Sequence, residues 1–174
     1  RRWAFDAIEQ MPGSLALETA RQWVRRKEWH LQVAAGGILE NHATPEDIPL
    51  LIEALRTAET VRCEDSRLSS ALNAMARFEG IGPVPELEQV FCGAQGCFER
   101  YRAARAMAAT APAHFTTEYA FECLWDCHWD IRRLGCRMVN LSMDGALDRL
   151  RELAGDMNEA ERVREQARAR LEGL

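Results

Sequence analysis

Apolar residues fall along this chain in pairs of helical stripes. In the stretch 115–142, Tyr119, Ala120, Cys123, Leu124 and Cys127 recur at three and four residues, the spacing of one helix face. Thr116 or Thr117 stands where that helix needs its N-cap. After a turn spanning Asp126 to Asp130, the residues Ile131, Leu134, Gly135, Met138, Val139 and Leu141 mark a second helix with a broader apolar face. Gly135 is small, which lets a neighbouring helix approach closely.

The same two-helix pattern recurs. Ser14–Arg26 pairs with Trp29–His42, Glu46–Ala58 with Ser66–Glu79, Pro83–Phe91 with Phe98–Thr110, and Gly145–Ala154 with Glu159–Leu171. Arg1–Met11 supplies one more second helix, which brings the expected total to eleven, with no segment that reads as a strand. Punctuation agrees: Thr44-Pro45 offers a cap followed by proline at the first helical position, and Pro12-Gly13, Gly80 to Pro85 and Gly155 break the pattern between elements. The small residue inside each second helix marks a register, Ala4, Ala34, Ala71, Ala103, Gly135 and Ala167, with gaps of 30, 37, 32, 32 and 32. A period of this size predicts stacked structural repeats, in which each small residue lies in a helix packed against the next repeat. The five extra residues of the longest gap are expected to extend the acidic turn Glu59–Asp65. The whole of 1–174 reads as one repeat domain. Because it opens without Met and already in helical register, it is expected to be a fragment truncated at its N-terminus.

Three units carry an arginine three residues before the register position, Arg100, Arg132 and Arg164. In Asp130-Ile131-Arg132-x-x-Gly135 and Glu161-Arg162-Val163-Arg164-x-x-Ala167, and less closely in Glu99-Arg100-x-x-Ala103-Ala104, the chain resembles HEAT repeats, especially the short bacterial HEAT-like kind shared with phycobilisome lyases. The units at Ala34 and Ala71 carry Leu31 and Leu68 where that family prefers arginine. The resemblance implies an all-α right-handed solenoid of about five two-helix repeats. It also implies a protein-binding scaffold whose second helices line a concave surface.

Charge modifies this picture. The chain has 22 basic and 27 acidic residues, a net charge of −5, which argues against general nucleic-acid binding, since phosphate neutralisation needs concentrated positive charge. The negative charge is concentrated in 40–65, where seven acids face only Arg56 and Arg62. No apolar run approaches the roughly 20 residues that cross a bilayer, and the start lacks a signal-peptide core, so a cytoplasmic chain with no membrane partner is expected. Lysine is represented by Lys27 alone against 21 arginines, a bias ascribed to a GC-rich genome rather than to chemistry.

Stacked second helices would align arginines in two rows. Arg100, Arg132 and Arg164 are expected to bond the preceding turn's carboxylates, such as Asp130, and so to fix the next repeat. Arg105, Arg137 and Arg168, about a turn further on, are expected to contact a partner with an acidic or extended surface, with Arg133 and Trp129 beside them. Trp125 and Trp129 also fit as anchors of a helix-helix contact. Cys123, Cys127 and His128, with Cys92 and Cys97 from the neighbouring loop, have ligand chemistry for zinc. Their spacing matches no zinc motif, and core packing accounts for Cys123 and Cys127, so no metal or other cofactor is expected. Cys92 and Cys97 alone are placed to close a loop by disulfide, against which a reducing compartment argues.

The alternative function is a nucleic-acid enzyme resembling HEAT-like alkylpurine DNA glycosylases, which use Trp, Asp and Arg in a groove. Here Trp125, Trp129, Asp126, Asp130, Arg132 and Arg133 are the residues of those types. A lyase-like helper of a tetrapyrrole protein is a third reading. No phosphate loop, serine elbow or carboxylate dyad appears, and the four histidines are spread along the chain, so no intrinsic catalysis is expected.

Overall fold

The computed structural model of the chain describes residues 13–57 and 66–173. Among them it contains no strand. The α-helices are α1 (Gly13–Trp23), α2 (Trp29–His42), α3 (Ile48–Thr57), α4 (Ser66–Met75), α5 (Pro85–Gly93), α6 (Cys97–Thr110), α7 (Pro112–Glu118), α8 (Ala120–Cys123), α9 (Trp129–Met138), α10 (Ala146–Gly155) and α11 (Glu161–Glu172). A 3-10 turn, Pro45–Asp47, leads into α3. The expected Arg1–Met11 helix, the register residue Ala4, the turn Glu59–Asp65 and Cys63 lie outside the described residues.

Local chemistry explains where several elements start. Thr44 and Asp47 form a capping box: the Asp47 carboxylate accepts from the Thr44 backbone N–H at 2.9 Å and from its hydroxyl at 3.0 Å, while Pro45 takes the first position. Pro85 and Pro112 likewise begin α5 and α7, where a missing N–H leaves no bond unmade. Between α4 and α5, Gly80 at φ 69° and Gly82 at φ 100° turn the chain through the left-handed region. Their amides donate to the carbonyls of Ala109 and Thr110 at 3.0 and 2.9 Å, which ties this loop to the end of α6.

The stretch after Pro112 differs from the sequence expectation. Its helix starts at Pro112 rather than at a threonine cap. Thr117 sits inside α7, its hydroxyl donating to the Ala113 carbonyl at 3.0 Å. At Tyr119 the backbone leaves helical geometry, φ −124° and ψ −29°, so one expected helix becomes α7 and the single turn α8. The Tyr119 ring meets Phe91 and His114 edge-on and stacks on Phe115, so packing to three rings accompanies the break.

Packing follows a regular plan. Each first helix lies against the second helix of its own hairpin: α1 on α2, α3 on α4, α5 on α6, α8 on α9 and α10 on α11. The second helices also touch in chain order, α2 on α4, α4 on α6, α6 on α9 and α9 on α11. A second helix therefore has several neighbours to satisfy, which accounts for its broad apolar face. On α4, Leu68, Leu72 and Met75 are all fully buried, and each contributes about 1.5–3 kcal/mol by leaving water. The register residues Ala34, Ala71, Ala103, Gly135 and Ala167 all fall inside second helices and are buried.

Gly135 corrects one detail of that register. A Cβ there would stand 3.0 Å from the Ala120 carbonyl oxygen, the Cys123 Cβ and the Leu124 amide nitrogen. Its close approach is thus to α8 of its own hairpin rather than to the next repeat. The closest approach of a glycine to the next second helix is instead at Gly36, where a Cβ would stand 3.2 Å from Ser70 Cβ on α4.

Candidate functional site: a cationic cleft on the second helices

The site is framed by ion pairs joining each hairpin to the next. Arg100 on α6 reaches Asp126 in the turn before α9, with Nη2 to Oδ2 at 2.9 Å, and also donates to Cys127 Sγ at 3.3 Å. Arg132 on α9 reaches Glu159 in the turn before α11, with Nε to Oε2 at 2.6 Å. Its Nη1 donates to the carbonyls of Asp126 and Cys127 at 2.7 and 2.9 Å, so one guanidinium clamps two successive turns. The carboxylate partners therefore come from the following turn and not, as the sequence suggested, from Asp130. Arg164, third in this row, faces no carboxylate among the described residues. Its Nη1 donates to Met157 Sδ at 3.5 Å and its buried Nε has no partner.

Burial alone would raise the Glu159 carboxyl, but the Arg132 guanidinium and the Ala160 amide outweigh it and hold the group below the usual carboxylate range. Asp47, 2% exposed, behaves alike: burial opposes its ionisation, while Arg21 at 2.6 Å and Thr44 favour it more strongly. Arg21 to Asp47 and Arg56 to Glu86 tie successive first helices in the same manner, and the His114 ring lies within hydrogen-bond distance of Glu88 at 2.9 Å. His114 thus has a partner that its isolation in the sequence did not suggest. Burial and the adjoining Glu88 push the Tyr119 hydroxyl up to about 12.

On α9, Asp130, Arg133, Leu134 and Arg137 follow at three- and four-residue spacing and share one face, while Arg132 points off it. That face meets Tyr101 and Arg105, four residues apart on α6, and Gln166 on α11. Together they line a cleft of about 420 Å³. Among the described residues, Arg105, Arg133 and Arg137 make no hydrogen bond or ion pair, and Asp130 pairs with no cation. Most other described arginines are engaged. Of the eighteen described arginines, four have no hydrogen bond, ion pair or ring contact, Arg25 and the three in this cleft.

The remaining candidates lie elsewhere. Arg168 is not part of this row, because it sits one residue past the register position whereas Arg105 and Arg137 sit two past it. Its guanidinium turns to the Ala154 carbonyl on α10 at 3.1 Å. Trp129 is half-buried at the start of α9, stacked on His128 and 5.7 Å from the Arg162 guanidinium. Trp125 is no helix-helix anchor: it is 58% exposed, and Arg149 lies over its ring at 3.9 Å. His128 caps α9, its Nδ1 accepting from the Asp130 amide at 3.3 Å, and is packed among Phe98, Tyr101 and Trp129.

The residues weighed for a glycosylase or a zinc site do not converge. Asp126 and Arg132 are taken by ion pairs, Trp125 lies under Arg149, and only Asp130 and Arg133 reach the cleft. Cys123 is buried, whereas Cys127 is exposed and bonded by Arg100, a departure from the core position expected for it. Burial pushes the Cys123 and Cys136 thiols up to about 12. Cys92 and Cys97 are free thiols, and no group of three or more candidate ligands gathers among the described residues. Tyr101 and Gln166 were missed. Tyr101 had a signal: it occupies the same place relative to Ala103 that Arg133 occupies relative to Gly135.

No protein-family model matches the chain, and no curated protein or solved structure matches it significantly. No helix among the described residues is long and apolar enough to cross a membrane.

Proposed function

We propose that the chain is a cytoplasmic HEAT-like α-solenoid acting as a protein-binding scaffold. It recognises an acidic, extended partner through its second-helix surface and carries out no chemistry of its own. The observation that supports this reading is the unpaired set Arg105, Arg133 and Arg137 on helices that pack in succession. Guanidinium groups left without internal partners beside a cleft contribute nothing to folding through pairing, and they supply charge and directional donors to an incoming anion. Successive helix hairpins present an extended face, which suits an extended partner. The net charge of −5 and the internal pairing of most other arginines oppose a duplex-gripping role, for which dispersed free cations are needed.

The test is capture of partners from native extract on the parent chain and on a variant carrying Arg105→Glu, Arg133→Glu and Arg137→Glu. The expected result is a partner held by the parent at low salt, released by added salt and lost with the variant. A variant that retains every partner of the parent would remove this face from recognition and turn attention to the acidic stretch 46–65.

A further inference from the structure

Resting on the reading of this face as a protein-binding surface, we infer that the cleft among Arg105, Arg133 and Arg137 is a receptor for a phosphorylated side chain in an extended peptide. The argument begins with charge. Three guanidinium groups and the single carboxylate of Asp130 leave the cleft with two positive charges in excess among its lining residues. A phosphomonoester carries about −1.5 to −2 at neutral pH and three acceptor oxygens, whereas an aspartate or glutamate brings one charge and two oxygens. Arginine forks bind phosphate oxygens bidentately, so three of them around one cleft match the phosphoryl group in both charge and donor number. Tyr101 and Gln166 add a hydroxyl and an amide at the wall.

Size and surroundings point to a peptide as the carrier. A volume of about 420 Å³ lies within the roughly 300–1,000 Å³ of ordinary ligand sites and leaves room for residues flanking the phosphoryl group. On α6, Phe98, Tyr101 and Arg105 follow at three and four residues along one face, and Phe98 is 62% exposed. An apolar flank next to a cationic socket suits a peptide with a hydrophobic residue near its phosphorylated one. A nucleic-acid strand would require free cations continuing along the surface. Instead the row stops at Arg137, since its successor on α11 two past the register position is Ala169 and Arg168 is bonded to Ala154.

The experiment uses immobilised chain and three synthetic peptide pools, degenerate except at the centre, which carries phosphoserine, glutamate or serine. A single-stranded DNA 20-mer is the fourth probe. The expected result is at least tenfold stronger retention of the phosphoserine pool than of either other pool. That preference should be lost in a variant carrying Arg105→Gln, Arg133→Gln and Arg137→Gln and kept in Arg168→Gln. A helical spectrum unchanged from the parent shows that the triple variant is folded, and Arg137→Gln alone, expected to weaken retention severalfold, serves if it is not. Equal retention of the phosphoserine and glutamate pools overturns the inference and leaves the acidic-partner reading standing. Preference for the DNA, or retention of no peptide pool, overturns both.

Discussion

Arg132 on α9 and Glu159 before α11 form the most enclosed ion pair among the described residues, with 17% and 6% of their side chains exposed. The same guanidinium holds the carbonyls of Asp126 and Cys127, so the pair joins two inter-helix turns through one side chain. Arg100 and Asp126 repeat the arrangement one hairpin earlier with 27% and 10% exposure.

Removing one member of such a pair leaves the other buried and unpaired. Arg132→Met is expected to lower the unfolding free energy by about 3 kcal/mol, and Arg100→Met by less because its pair is better solvated. Adding Glu159→Leu to Arg132→Met should recover part of the loss. Urea titration of the three variants measures this, and a double variant less stable than Arg132→Met would show that the uncompensated carboxylate is not the source of the loss.

Acid should expose the same relation. Glu159 and Asp47 have carboxyls held below their ordinary values of 4.5 and 3.8 in the folded chain, so in that range the unfolded chain binds more protons. Their contribution is complete above those ordinary values and is lost as pH falls through the lower folded ones. Unfolding measured from pH 6 downward is expected to show stability falling below about 4.5, and Glu159→Gln should flatten that decline. An identical slope in parent and variant would separate Glu159 from acid sensitivity.

Gly135→Ala sets helix propensity against packing. Alanine favours an isolated helix by about 1 kcal/mol over glycine. At this position the new methyl would meet two backbone atoms and Cys123 Cβ at 3.0 Å, and backbone yields poorly. The net expectation is destabilisation of about 1–3 kcal/mol. At Gly37, where a Cβ meets nothing within 4 Å, the same change should stabilise. Thermal melting of the two variants decides: matching upward shifts would refute the close approach to α8.

Thiol labelling separates the cysteines. Cys92 and Cys127 are exposed, while burial keeps Cys123 and Cys136 protonated and shielded. A maleimide reagent at neutral pH should modify Cys92 and Cys127 in the folded chain and reach Cys123 and Cys136 only in denaturant, as read by peptide mass spectrometry. Rapid native labelling of Cys136 would contradict its place in the core.

The helices and their pairing into hairpins were legible in the sequence because apolar periodicity, prolines and small residues are local signals. Ala71, Ala103, Gly135 and Ala167 mark second helices whatever their neighbours do, and Thr44-Pro45 announces its own cap. Partner choice across hairpins was not legible. Asp126, Asp130 and Glu159 look alike as turn acids, yet Asp126 and Glu159 meet arginines of the preceding second helix while Asp130 faces a cleft. One residue of phase turns a side chain about 100° around a helix, which is why Arg132 and Arg133 part company and why Arg168 leaves the row of Arg105 and Arg137. The break at Tyr119 was hidden for a related reason: three rings meet there, and one of them, Phe91, comes from α5 in the preceding hairpin. Sequence alone determined where most helices lie along the chain and which of their faces are apolar, though not the break at Tyr119. Only the tertiary structure decided which arginines join hairpins and that Arg105, Arg133 and Arg137 stay unpaired around one cleft, because pairing depends on distances between helices that no single helix encodes.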